Sequence, residues 1–169
     1  MKIRILDILE ETMADGPGFR TSIYCAGCAH HCPGCHNPQS WDITNGRMVD
    51  VEDILDVVLS DPFADVAFSG GDPMFQPEPF TELARAIKER SCKNIWCYTG
   101  YTYDKDLLSG RLCDKSITEK MLKNIDILVD GKFVEELKNL KLRFKGSENQ
   151  RIIDLKKTLS ENKTILWEG

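Results

Sequence analysis

The chain has no apolar run approaching the roughly 20 residues that a bilayer-spanning helix needs, so no membrane segment is expected. Residues 1–9 carry Lys2, Arg4 and Asp7 among the apolar ones, too polar for the apolar stretch of a secretory signal. A basic excess is also missing: 22 Lys and Arg stand against 27 Asp and Glu, a formal charge of −5. That argues against coating nucleic acid, a role that calls for a basic face. There is no internal repeat, low-complexity tract or linker, and 169 residues suit one domain spanning 1–169. A fold of this size buries about 70% of the surface of its extended chain, so no disulfide framework is required. None is indicated either: the seven cysteines are odd in number and four are crowded together. A reducing cytoplasm fits that usage.

What is present is concentrated in residues 25–41, Cys-Ala-Gly-Cys-Ala-His-His-Cys-Pro-Gly-Cys-His-Asn-Pro-Gln-Ser-Trp. Cys25, Cys28, Cys32 and Cys35 lie here, with His30, His31 and His36 among them. A packed core does not demand that density of soft ligands. Gly and Pro make the stretch a loop, and a loop presenting several thiolates to one region is a metal or iron–sulfur site.

The surrounding chain alternates strands with helices. Residues 3–9 read as a first strand, and Asp15-Gly-Pro-Gly18 as a tight turn. Residues 21–25 form a second strand leading straight into the cysteine loop. Asp50 is placed as an N-cap, and Val51, Ile54, Leu55 and Val58 recur at helical spacing. The strand over 65–69 runs into Gly70-Gly-Asp-Pro73, and Phe80, Leu83, Ala84 and Ile87 give the following helix one apolar face. Strands are expected over 94–99 and 125–129. Weak helical pieces lie between them, with Ile117, Met121 and Leu122 facing inward. A late helix through Ile152, Leu155 and Leu159 and a terminal strand over 164–167 complete the pattern. This is the grammar of an α/β fold with a mostly parallel sheet of five or six strands, whose site lies at the carboxyl edge. Too few strands are present for a closed eight-stranded barrel, so an open, partial β/α barrel is expected.

Three readings of the cysteine loop compete. As CxxC-x3-CxxC, all four thiolates would hold one structural Zn²⁺, although zinc ribbons separate their two pairs by many more residues. As Cys28-x3-Cys32-x2-Cys35, three thiolates would hold a [4Fe-4S] cluster with one iron left open. Cys25 would then be a buried thiol behaving as a small hydrophobe. A fully ligated electron-transfer centre is the third reading, and it needs a fourth ligand.

The Cx3Cx2C spacing resembles the signature of radical S-adenosylmethionine (SAM) enzymes. Gly16-Pro-Gly18 ahead of it, Gly27-Cys28 through Cys35-His36-Asn37, and Trp41 are similar to the glycyl-radical activating enzymes. Ser69-Gly-Gly-Asp-Pro-Met74 looks like their SAM-binding glycine motif. Trp96-Cys-Tyr-Thr-Gly-Tyr101, Leu128-Val-Asp-Gly-Lys-Phe133, and Leu142-Arg-Phe-Lys-Gly-Ser147 with Asn149-Gln-Arg151 resemble the activating proteins of anaerobic (class III) ribonucleoside-triphosphate reductases.

The resemblance implies a partial barrel of the radical SAM type. It implies a [4Fe-4S] cluster on Cys28, Cys32 and Cys35, and reductive cleavage of SAM to methionine and a 5′-deoxyadenosyl radical. That radical takes a hydrogen atom from a glycine of the partner, the large glycyl-radical subunit of the reductase. A one-electron donor such as flavodoxin or ferredoxin is implied as well, and neither nucleic acid nor membrane.

It also implies SAM contacts from Gly34, Cys35, His36, Gly70, Gly71 and Asp72. Gly70 and Gly71 would let backbone approach SAM closely. Asp72 would meet its ammonium group, or else serve as an ordinary turn. His36 would meet adenine or brace the loop. Where many relatives carry an aromatic residue before the last cysteine this chain has Gly34, which shifts adenine recognition toward backbone. His30 and His31 are expected as solvated loop residues, and Asn37 as closing the loop. Cys92, Cys97 and Cys113 are expected as ordinary thiols. The charged stretch 135–145 is expected as a solvated face, or as a docking surface with Arg143, Lys145 and Arg151. Two alternatives stand beside this: an activase of another glycyl-radical enzyme or of a small molecule, and a zinc-binding interaction module.

Overall fold

The computed structural model describes residues 1–112 and 114–169. One sheet organises them, built from β1 (Lys2–Thr12), β2 (Arg20–Cys25), β3 (Arg47–Asp50), β4 (Asp65–Gly70), β5 (Ile95–Tyr98), β6 (Ile127–Asp130) and β7 (Arg151–Asp154). Their spatial order is β3-β1-β2-β4-β5-β6-β7. The central four, β2, β4, β5 and β6, run parallel. β1 pairs antiparallel with β2 and β3, and β7 antiparallel with β6. β3 and β7 are left as edges, so the sheet does not close.

Helices α1 (Val51–Ser60), α2 (Pro77–Arg90), α3 (Lys115–Lys123) and α4 (Leu155–Glu161) complete the fold, with a π-helical turn over Tyr103–Leu107. Alternate strand residues Ile23, Cys25, Val66, Phe68, Ile95, Cys97 and Leu128 pack with Ile54, Leu55, Val58, Phe80, Leu83 and Ile87 in one buried core. Each large side chain so buried stabilises the fold by roughly 1.5–3 kcal/mol. The other set of strand residues faces the concave side, because a pleated strand turns successive side chains to opposite faces. Ladder register places Ser22, Ala67, Trp96 and Ile127 side by side in one row there. Trp96 packs edge-on against Phe144 and Trp167, with ring centroids 5.4 and 5.0 Å away.

Seven strands form where five or six are expected from the sequence. β3 is short and largely exposed, so no apolar alternation marks it. β7 carries Ile152, whose spacing from Leu155 and Leu159 imitates a helix; the helix begins only at Leu155, with the Asp154 side chain accepting from the Lys157 N–H at 3.0 Å. The expected terminal strand is reduced to a single bridge between Leu166 and Ile153. Asp50 does occupy the N-cap position of α1, but its side chain makes no capping bond.

Candidate functional site

The carboxyl ends of the four parallel strands meet at one place. β2 delivers the cysteine loop, β4 the Gly70–Gly71 loop, β5 Thr99 and Gly100, and β6 Gly131. Between them lies a cavity of about 550 Å³. Cys28, Cys32 and Cys35 line it, together with Gly70, Gly71 and Asp72.

Backbone bonds lock the two loops together. Gly27 N–H donates to the Ser40 carbonyl at 2.7 Å and Cys28 N–H to the Trp41 carbonyl at 3.1 Å. Gly71 N–H reaches the Cys25 carbonyl and Asp72 N–H the Gly27 carbonyl, both at 2.8 Å. Gly70 sits at φ +95°, and a Cβ there would lie 2.5 Å from the Cys25 backbone nitrogen. A Cβ on Gly71 would collide with the Gly27 carbonyl. The missing side chains therefore serve loop-against-loop packing.

Asp72 fastens the assembly. It is 1% exposed. Its Oδ1 accepts from Met74 N–H at 2.9 Å. Its Oδ2 contacts His30 Nε2 at 2.8 Å and accepts from the Thr99 hydroxyl and the Gly100 N–H, both at 2.9 Å. A carboxylate offers about four lone-pair sites, and the chain's own groups make four contacts with this one. The turn reading of Asp72 is realised through Met74, and three longer-range contacts are added to it. His30 is no solvated loop residue. Its side chain is 5% exposed and lies edge-on to Tyr101, and Gly100 leaves the room its ring needs. His31 is exposed and stacks on Trp41 at 4.6 Å.

The thiols divide three and one. Cys28, Cys32 and Cys35 are partly exposed and line the cavity. Cys25 is 0% exposed within the helix-side core, where burial pushes its thiol well up. Burial also raises the Cys28 thiol, opposed by the backbone N–H groups of His30 and His31. Asn37 N–H points to Cys35 Sγ at 3.4 Å, a donor suited to a ligating sulfur. A cubane spreads its cysteines over separate irons, and three thiols around one cavity, with Cys25 buried outside it, fit a [4Fe-4S] cluster.

His36 is exposed and lines the cavity; Gly34 is not among the lining residues. Gly34 adopts φ +77°, and a Cβ there would lie 2.8 Å from the Glu135 carboxyl carbon. The stretch 135–145 thus begins against the cysteine loop. Asn37 closes that loop as expected, its carbonyl accepting from Ser40 N–H at 3.0 Å and Ser40 Oγ at 2.7 Å. Arg151 is a brace: it reaches the buried Asp130 at 2.5 Å and Asp104 at 3.0 Å. Cys92 is exposed and Cys97 buried, both free; Cys113 lies outside the described residues.

Sequence reasoning missed the row beneath the thiols. Tyr24 pairs with Ser69 and Tyr98 with Val129, and all four line the cavity. The Tyr24 hydroxyl is bonded to Asp15 Oδ2. Period-2 alternation from Ser22 and Trp96 was the signal that could have found it.

Residues 14–153 match the family described as the 4Fe-4S single cluster domain. The chain is similar to an anaerobic ribonucleoside-triphosphate reductase-activating protein of Salmonella typhi, 33% identical over 152 residues, covering 85% of this chain and 94% of the relative. A protein of the same description from Escherichia coli (strain K12) is 32% identical over 153 residues, with the same coverage. A pyruvate formate-lyase-activating enzyme of Clostridium pasteurianum is 31% identical over 140 residues, covering 79% of this chain and 54% of that relative.

Proposed function

As this chain belongs to the family of anaerobic ribonucleoside-triphosphate reductase-activating proteins, within the 4Fe-4S single cluster domain family, we propose that it installs the glycyl radical on such a reductase. It is a radical SAM activating enzyme, an oxidoreductase using a [4Fe-4S] cluster and SAM. Bound together, these supply one-electron cleavage of the sulfonium and a 5′-deoxyadenosyl radical able to take a hydrogen atom from glycine.

The protein's own part is placement. Cys28, Cys32 and Cys35 hold the iron, and Cys25 packs the strand beneath them. Cys35, His36, Gly70 and Gly71 contact SAM along the cavity, Gly34 through the shape it gives the loop. Asp72 is the positioning residue, tying the cysteine loop to β4 and β5 through His30, Thr99 and Gly100. The open sheet is read as a partial β/α barrel, with 1–169 acting as one radical SAM domain. The partner is the large glycyl-radical subunit, and a flavodoxin- or ferredoxin-type donor supplies the electron. No described helix is long and apolar enough to cross a membrane. The free state of all six described cysteines suits the cytoplasm.

One observation carries the reading: three of the loop's four thiols share a cavity with the Gly70–Gly71 loop, and the fourth does not. Anaerobic reconstitution tests it. Expected are about four irons and four sulfides per chain, a [4Fe-4S]⁺ EPR signal altered by SAM, and a glycyl doublet on added reductase subunit. Colourless protein holding one zinc would overturn it. A doublet formed on pyruvate formate-lyase and not on the reductase would move the substrate to another glycyl-radical enzyme.

A further inference from the structure

The stretch from Leu142 to Gln150 takes no part in the chemistry described so far, and its polar groups are spent on holding a loop. Gln150 Oε1 accepts from the Gly146 and Ser147 N–H groups at 2.8 and 3.1 Å, and its amide donates to the Gly131 carbonyl at 3.0 Å. Lys145 Nζ donates to the Gln150 carbonyl, and the buried Ser147 hydroxyl accepts from Val134 N–H. Glu148 N–H reaches the Leu137 carbonyl and Asn139 N–H the Gly146 carbonyl, joining the outgoing and returning arms. Phe144 is held at φ +63°, a conformation that a bulky residue keeps only where its surroundings over-determine it.

What this frame presents outward differs from the rest of the surface. Lys138, Lys141 and Arg143 are exposed and, among the described residues, join no ion pair. Between residues 132 and 145 five cations stand against two carboxylates, in a chain of formal charge −5. Leu140 is 89% exposed among them. A single exposed leucine needs no explanation; a fixed loop that reverses the sign of the chain's charge does. The loop is also rooted at the cavity. Gly131, Phe133 and Gln150 line it, and Glu135 lies against Gly34 of the cysteine loop. Leu140 follows Glu135 by five residues, so it lies no more than about 18 Å from it. That is close to the radius of a standard interface, about 16 Å for about 800 Å² a side.

A glycine that loses its hydrogen in the cavity brings its own protein over the rim. An electron carrier needs only to approach the cluster. We infer that the loop over residues 132–146 is a docking surface for the reductase subunit. Lys138, Lys141 and Arg143 meet an acidic patch around the subunit's glycine, and Leu140 enters an apolar recess there. The inference rests on the proposed function.

The test uses the cluster-loaded chain with dithionite as reductant, so that no protein donor is needed. Glycyl-radical formation on added reductase subunit is followed by EPR, and the Kd for the subunit is measured by sedimentation. Lys138→Glu/Lys141→Glu is expected to raise KM and Kd about tenfold or more at low salt, and Leu140→Ser about fivefold. In both, kcat and the Kd for SAM stay within about twofold. The wild-type KM is expected to climb between 0.05 and 0.3 M salt, where screening shortens the reach of exposed charges to about 6 Å, and more steeply than that of the double variant. Unchanged KM and Kd overturn the inference, as does a wild-type KM indifferent to salt, a readout that needs no variant to fold. Slower cluster reduction by photoreduced flavodoxin, with KM in dithionite unchanged, would give the surface to the electron carrier and overturn it too. Wild type that forms no radical on the reductase removes the proposed function, and this inference with it.

Discussion

His30 of the cysteine loop and Asp72 of the glycine loop meet at 2.8 Å, with side chains 5% and 2% exposed. This contact joins residues 42 positions apart. It sets the first loop against the second, and Asp72 in turn holds Thr99 and Gly100 at the end of β5.

Replacing Asp72 by Ala leaves His30, Thr99, Gly100 and Met74 without their shared acceptor. The cost expected is about 2–4 kcal/mol, from buried donors left unpaired. Asp72→Asn keeps an acceptor oxygen and is expected to lose less than half of that. Urea unfolding of the cluster-free chain measures both. Equal stabilities for Asp72→Ala and wild type would show that the brace carries nothing.

Cys28→Ala, Cys32→Ala and Cys35→Ala are each expected to lower bound iron severalfold after anaerobic reconstitution. Cys25→Ala is expected to retain iron and to lose about 1 kcal/mol of stability, the scale of a small buried group removed from a core. Iron and sulfide assays across the four variants decide the division. Loss of iron in Cys25→Ala with retention in one of the other three would reassign the ligands.

Gly70→Ala combines a left-handed backbone, φ +95°, with a Cβ 2.5 Å from the Cys25 nitrogen. A penalty of about 2–4 kcal/mol is expected from conformation and overpacking together. It should appear as a lower urea midpoint in the chain without SAM. If stability is unaffected in the free chain and only SAM binding falls, the glycine serves the ligand first.

Arg151→Ala strips the buried Asp130, 1% exposed, of its guanidinium partner, leaving Tyr103 N–H as its remaining bonded donor at 2.8 Å. Breaking a buried pair from one side typically costs about 3–5 kcal/mol, and the 30% exposure of the Arg151 side chain brings the expectation to about 2–3 kcal/mol. The double variant Arg151→Met/Asp130→Leu is expected to recover part of it, measured as a double-mutant cycle.

Burial and the neighbouring Asp15 raise the phenol of Tyr24, and burial raises that of Tyr98. A raised folded-state value means that the fold binds a proton the unfolded chain would release. The associated stability is fully present below the unfolded tyrosine value of about 10 and is lost as pH climbs from there toward the raised folded values. Unfolding free energies at pH 9 and above should fall with pH, and less steeply in Tyr98→Phe. Ultraviolet titration should show these two phenols ionising only as the chain unfolds.

Much of this arrangement is legible in the residue order. Val51, Ile54, Leu55 and Val58 announce α1, and strand-then-glycine punctuation places both loops at one sheet edge. The division of the cysteines follows from spacing together with the strand that ends at Cys25. Other features are not local, and so were not legible. The roles of His30 and Asp72 depend on a contact that only β2–β4 pairing creates. That Gly70 and Gly71 also make room for backbone was not legible, because that backbone comes from Cys25 and Gly27, far away in the chain. β3 escapes notice because an exposed edge strand has no buried face to impose a pattern. Ile152 misleads because a two-sided hydrophobic pair at the junction of β7 and α4 satisfies both periods.

The aromatic cluster of Trp96, Phe144 and Trp167 ties three separate parts of the chain to one another. Phe144 belongs to the stretch that meets the cysteine loop at Glu135, so the central strand β5 and the carboxyl-terminal Trp167 share in holding that stretch in place.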